Sequence, residues 1–161
     1  MTNLLILFQA DTEATEQLAL AAAVGGVEAQ ANIRLRRLTL PGAPEIGHKG
    51  YGTLQPADLL WADTLVVGLE STHPAPPELN PLLEMLRNLP ADLPAGSKKR
   101  VWSFHSASPG ESPTAAQSLV LAACSAAGIQ PLELPQSPTA TPEERVAAMK
   151  QAGHRCAQPT P

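Results

Sequence analysis

The chain has 161 residues, 43% of them hydrophobic but only 3% aromatic, and carries 11 Lys plus Arg against 15 Asp plus Glu for a formal net charge of −4. That length fits one domain with one core, and a core drawn from Leu, Val, Ile and Ala suits a parallel sheet covered by helices. An acidic balance with no basic stretch longer than Lys98-Lys99-Arg100 excludes nucleic acid from the expected partners, because neutralising phosphates takes a concentrated basic face.

Asn3 to Phe8 is a short apolar run. It lacks a charged leader and is interrupted by Gln9 and Asp11, so it reads as a first strand and not as a signal peptide, and the cytoplasm is the expected location. Asp11 and Thr12 are cap-type residues that precede the Ala/Leu-rich helix Thr15 to Val24, which the sequence ends at Gly25-Gly26. Its run Leu18 to Val24 is the longest apolar stretch, far below the roughly 20 residues that cross a bilayer, so no membrane partner is expected. Ile33 to Leu40 alternates imperfectly, as an outer strand with one wet edge does. Gly42 to Gly52 holds four glycines and reads as a mobile loop.

Pro56 opens a short helix over Ala57 to Ala62, and Thr64 to Gly68 is the strongest strand signal. Pro77 then starts a helix over Glu78 to Asn88 with Leu79, Leu82, Leu83 and Leu86 on one face. That stripe is helix-on-sheet packing, with a homo-oligomeric contact as its alternative. Arg100 to Ser106 is a fourth strand, Thr114 to Ala127 a helix closed by Gly128, and Ile129 to Leu134 a fifth strand. Thr141-Pro142-Glu143-Glu144 caps a last helix running to about Gly153. Trp61 and Trp102 read as packing residues. Cys124 and Cys156 match neither a zinc nor a disulfide pattern and are expected to be free thiols. The domain is placed at 1–155, with a flexible tail over 156–161.

Five strands alternating with five helices predict a three-layer, doubly wound α/β fold with right-handed crossovers and a parallel sheet of order 2-1-3-4-5. Ligands of such sheets sit where the carboxyl ends of strands 1, 3 and 4 meet. The loops of interest are therefore Gln9 to Thr15, Leu69 to Pro77 and His105 to Pro113.

Leu4-Leu5-Ile6-Leu7-Phe8 followed by Ala10-Asp11-Thr12-Glu13-Ala14-Thr15, then Asp58 to Asp63 with Val66-Val67-Gly68, then Arg100 to Ser106, resemble the flavodoxin-like proteins, and most closely their NAD(P)H:quinone oxidoreductases. The resemblance spans about residues 3 to 155. It implies a flavodoxin-like fold, FMN as cofactor, and NAD(P)H or a quinone as redox partner. The phosphate loop would be Ala10, Asp11, Thr12, Glu13, Ala14 and Thr15. Ser71, Thr72, His73 and Pro74 on one side, and His105, Ser106, Ala107, Ser108 and Gly110 on the other, would flank the ring.

The chain departs from the family's Thr/Ser-x-Thr-Gly-x-Thr pattern at two places: Ala10 replaces the first hydroxyl and Glu13 the glycine. A helix N-terminus offers free N–H donors and about half a positive charge to an anion. Asp11 and Glu13 bring negative charge there, and like charges about 5 Å apart repel by about 3 kcal/mol at an effective dielectric of 20. Either carboxylate could instead cap the helix itself. The second loop supplies no large aromatic, and the third has one glycine and an added proline, which restricts backbone approach. These departures predict that FMN binding is weakened or lost.

Thr12 and Thr15 are thus phosphate ligands or plain helix caps. His73 and His105, with Asp11, Glu13 and Glu70, form a metal or acid–base cluster or are exposed loop histidines pointing apart. Ser106 and Ser108 lack the Gly-x-Ser-x-Gly elbow of a nucleophile. Three functions remain: an FMN-dependent electron carrier or quinone reductase, a flavin-free binding or regulatory module on the same scaffold, and, third, a metal-assisted hydrolase.

Overall fold

The computed structural model describes residues 1–9, 13–38, 52–69, 77–89, 93, 98–105, 115–134 and 141–158. Its strands are β1 (Asn3–Gln9), β2 (Asn32–Leu38), β3 (Gly52–Thr53), β4 (Thr64–Leu69), β5 (Arg100–His105) and β6 (Gln130–Pro131). The helices are α1 (Glu13–Glu28), α2 (Pro56–Trp61), α3 (Asn80–Asn88, entered through a 3-10 turn at Pro77–Leu79), α4 (Ala115–Ala126) and α5 (Pro142–Cys156). All strand pairs are parallel, in the order β3-β2-β1-β4-β5-β6.

The doubly wound parallel layout expected from sequence is present, with six strands where five were expected. The additional strand is β3, whose two residues pair with Arg36 and Arg37 of β2 and extend the sheet edge from the end of the glycine-rich segment. The remaining strands keep the expected order. At the opposite edge, the expected strand over 129–134 pairs regularly only at Gln130–Pro131. Pro131 has no N–H to donate, which confines it to an edge, although Leu132 N–H still reaches the Val101 carbonyl at 2.7 Å.

β1 and β4 are central because nearly every side chain is apolar and both faces are covered: Leu4 to Phe8, Leu65 to Val67 and Leu69 are fully buried. Alternation along the strands divides the core in two. Leu5, Leu7, Leu65, Val67, Leu69 and Val101 pack against α2, α3 and α4, through Leu59, Leu82, Leu86, Val120 and Cys124. Leu4, Ile6, Phe8, Val66, Trp102 and Phe104 pack against α1 and α5, through Leu18, Ala19, Ala22, Met149, Ala152 and Cys156. Leu79, Leu82 and Leu86 are buried inside the chain and Leu83 packs on the same core, so the leucine stripe is internal packing.

α1 does not stop at Gly25-Gly26 but runs to Glu28. The glycines serve close approach, not termination. A Cβ on Gly25 would stand 1.8 Å from the Lys150 carbonyl oxygen, one on Gly153 would stand 1.9 Å from that of Ala22, and one on Gly26 would meet Ile33 Cδ1 at 2.7 Å. α1 and α5 therefore touch backbone to backbone. The turn after α1 is made by Gln30, at φ 64°. α5 likewise passes the expected boundary at 155: Cys156 and Ala157 are fully or nearly buried, and the Arg100 guanidinium donates to the Cys156 and Gln158 carbonyls. The last turn of α5 thus packs on the sheet, since Cys156 and Ala157 belong to the same buried cluster as Trp102 and Phe104 of β5.

Charged groups secure the helix ends. Thr141 Oγ1 accepts from Glu144 N–H at 3.2 Å and Glu144 Oε2 accepts from Thr141 N–H at 3.3 Å, the reciprocal cap expected for α5. At α2 the N-cap Gln55 N–H donates to Asp58 Oδ2 at 2.9 Å. Asp58 also accepts from Arg34 Nη1 and Arg36 Nε, both at 3.1 Å, and the Arg34 guanidinium lies 4.2 Å from the Trp61 ring centroid. Lys99 is buried and donates to the Leu60 and Ala62 carbonyls at the C-terminal end of α2. Burial lowers its pKa from the ordinary lysine value, and Asp63 partly opposes that.

Candidate functional site

The two neighbours of β1 in the sheet, β2 and β4, are reached by connections on opposite faces: α1 covers one face and α2 the other. The connections at the carboxyl ends of β1 and β4 consequently part to opposite faces, the switch point at which open α/β sheets form their ligand crevice. Strand register fixes which residues end the sheet there. On the α1/α5 face the last row is Arg37, Phe8, Gly68 and Phe104, side by side on β2, β1, β4 and β5. The next row, on the opposite face, has Leu38 beside Gln9 and Leu69 beside His105.

Gly68 is required by its row. A Cβ there would sit 2.4 Å from the Phe104 ring, which leans over the strand and stacks at 5.8 Å and 33° on Trp102. On the other face of β5, Ser103 accepts a hydrogen bond from Gln117 Nε2 at 3.1 Å, and both are buried. This pair joins β5 to the first turn of α4 on the crevice side.

Of the residues expected to bind cofactor, the structure describes four. Glu13 is the first residue of α1 and Ala14 the second, which puts both at the end of the helix where N–H groups are free. Thr15 lies in the same turn and is fully buried, which suits a hydroxyl held inside the helix–sheet junction. His105 ends β5 and is half-buried. Ala10, Asp11, Thr12, Ser71, Thr72, His73, Pro74, Ser106, Ala107, Ser108 and Gly110 lie outside the described residues, as does Glu70 of the histidine cluster. Self-capping by Asp11 or Glu13 therefore also falls outside what is described. Among the described residues no group of three His, Cys, Asp or Glu could hold a metal ion. No helix among them is long and apolar enough to cross a membrane.

Two residues missed in the sequence stand at this end of the sheet. Glu78, in the 3-10 turn that follows the β4 loop, has its Oε2 enclosed with no hydrogen-bond partner among the described residues. Arg37, the last α1-side residue of β2, is 4% exposed, and its Nη1 is likewise enclosed without a partner. Alternation could have placed Arg37 on the inner face with Ile33 and Leu35. Three arginines in five residues made the strand look like a wet edge instead. Cys124 and Cys156 are free and buried, and burial pushes both thiols up from 9.0 to about 12, which favours the protonated form of each.

No protein-family profile matches the chain. No curated protein matches it either. Solved structures do. A flavodoxin from the domain Archaea has a TM-score of 0.63 at 13% identity, covering 96% of this chain and 96% of that one. A WrbA-like flavodoxin from Agrobacterium tumefaciens gives 0.62 at 16% identity, covering 98% and 96%. Oxidised flavodoxin 2 from Bacillus cereus gives 0.61 at 17% identity, covering 94% of each. With the strand order, the two helical layers and the crevice at the β1/β4 divergence, these likenesses show that the chain has the flavodoxin-like fold.

Proposed function

We propose that this protein is an FMN-binding electron carrier of the flavodoxin type, acting with NAD(P)H or a quinone as redox partner in the manner of the quinone reductases it resembles. The observation that carries the reading is Thr15. It occupies the last hydroxyl position of the phosphate-loop pattern and is buried in the first turn of a 16-residue helix that leaves the crevice directly after β1. Free N–H groups and the positive end of the α1 dipole at that turn suit a phosphate.

The residues present fit the group at a second point. The enclosed Glu78 Oε2 is an acceptor beside the crevice, and an isoalloxazine ring offers an N–H donor. An enclosed acceptor left unpaired costs about 1–3 kcal/mol, which a ring donor would recover. When bound, FMN supplies the one- and two-electron chemistry. The chain's own residues would hold the phosphate at the α1 turn, exclude water with the Phe8 and Phe104 row, and flank the ring from the ends of β4 and β5.

One observation favours a second reading, a flavin-free module on the same scaffold. Glu13 opens α1 in place of glycine, where an acid complements the helix dipole and opposes a phosphate. Titration of FMN against the purified protein separates the two. Quenching of flavin fluorescence at micromolar protein supports the electron carrier. A colourless protein that leaves flavin fluorescence unchanged supports the module, and gain of binding in Glu13→Gly would then identify the carboxylate as the cause.

A further inference from the structure

β2 carries three arginines, and two of them are accounted for. Arg34 and Arg36 project to the α2 face and share the Asp58 carboxylate. Arg37 projects the other way, in register with Phe8, on a face otherwise filled by Ile33, Leu35, Leu4, Ile6 and Phe8. It is 4% exposed, and its Nη1 is enclosed with no hydrogen-bond partner among the described residues. A guanidinium cannot shed its proton to relieve burial, and a buried charge needs an anion and filled hydrogen bonds.

The position of Arg37 says where that anion belongs. It is the last residue of β2 on the face covered by α1, one before Leu38, at the carboxyl edge of the sheet. The first turn of α1, with Thr15 buried in it, begins at this same edge, four residues after β1 ends. A helix N-terminus and an inward-facing guanidinium thus share one corner of the fold.

We infer that Arg37 is the cationic anchor of an anion site beneath the first turn of α1, and that its ligand is a phosphate monoester. The inference deepens the flavin reading, and rests on it for the identity of the monoester, by naming the residue that selects the phosphorylated flavin. Arg37 supplies a full positive charge at the end of the sheet where α1 starts, against the two acids, Asp11 and Glu13, that the sequence carries around the start of that helix. The net field at the corner then accepts a dianion despite the acidic loop. The guanidinium presents a planar pair of N–H donors to phosphate oxygens, and the phenyl ring of Phe8 beside it keeps water away.

The test compares wild type, Arg37→Gln and Arg37→Lys, each verified as folded by circular dichroism, with three probes: inorganic phosphate, FMN and riboflavin. Wild type is expected to gain thermal stability in phosphate over chloride at matched ionic strength and to bind FMN at least tenfold more tightly than riboflavin. Arg37→Gln should lose both effects, and Arg37→Lys should keep part of each. A folded Arg37→Gln that retains the phosphate shift and the FMN preference overturns the inference and leaves the flavin reading standing, as does equal wild-type affinity for FMN and riboflavin. An Arg37-dependent phosphate shift without binding of either flavin supports the site and overturns the flavin reading. If Arg37→Gln does not fold, Glu13→Gln decides. A larger phosphate shift in that variant supports the site, whereas loss of stability with no gain in phosphate response makes Arg37 a counter-ion to its own loop and overturns it.

Discussion

The two helical layers reach the same sheet by opposite means. On the α1/α5 side the helices are small-residue surfaces, Ala19, Ala22, Ala152 and the glycines, and the bulk is supplied by sheet residues Phe8, Trp102 and Phe104. On the α2/α3/α4 side the helices carry the bulk themselves, in Leu59, Leu82, Leu86 and Val120. The first layer can come close enough for backbones to touch and has no room for an added atom. The second is filled by interdigitating leucines and has no spare atom to lose. The difference also bears on the site, because the first turn of α1, with Thr15 buried in it, belongs to the close layer.

Deleting volume from the leucine layer should have the largest effect. Leu82→Ala is expected to cost about 3 kcal/mol in chemical denaturation, within the range for a fully buried leucine; a loss below about 1 kcal/mol would mean that this layer collapses to fill gaps, and the contrast would fail. Adding volume to the other layer comes next. Gly153→Ala should cost about 2 kcal/mol, although helix propensity alone would favour alanine by about 1 kcal/mol. A stabilised Gly153→Ala protein would show that the backbones do not touch.

One thiol lies in each layer, and pH sharpens the comparison. Both fold-state pKa values are raised, to about 12. Their contribution is fully present below pH 9 and is lost as pH rises towards 12, where the unfolded chain ionises and the folded one does not. The slope for each thiol reaches about 1.4 kcal/mol per pH unit. Lys99 acts in the opposite sense: its pKa is lowered by burial, so stability gained from its deprotonation rises with pH up to 10.5. Cys124→Ala and Cys156→Ala should each flatten the alkaline fall in a denaturation series, and neither native thiol should react with an aromatic disulfide reagent until the protein unfolds. The smallest effect is expected at an exposed cap: Thr141→Ala removes the acceptor for Glu144 N–H and should cost about 1 kcal/mol.

Much of this architecture was legible in the residues. The apolar runs of β1 and β4 marked buried central strands, the Leu79/Leu82/Leu86 spacing marked an inward helix face, and Thr141 to Glu144 spelled out its own cap. The candidate site was legible only in part. Thr15 could be named as a candidate from its place after β1, whereas Arg37 was hidden among neighbours that bind Asp58, and Glu78 looked like any first-turn acid. Burial of a particular polar atom depends on which element lies over it, and no local pattern reports that.

Gly25-Gly26 shows where the division lies. The sequence by itself determined the alternation of strands and helices and the sheet type, because hydrophobic period and capping chemistry act between near neighbours. Only the tertiary structure decided that those glycines continue a helix, that two-residue strands complete both edges, and that one of three arginines turns inward. Each of those outcomes depends on a partner distant in the chain: the Lys150 carbonyl for Gly25, the pairing of β2 with Gly52–Thr53, and the covering of Arg37 by α1.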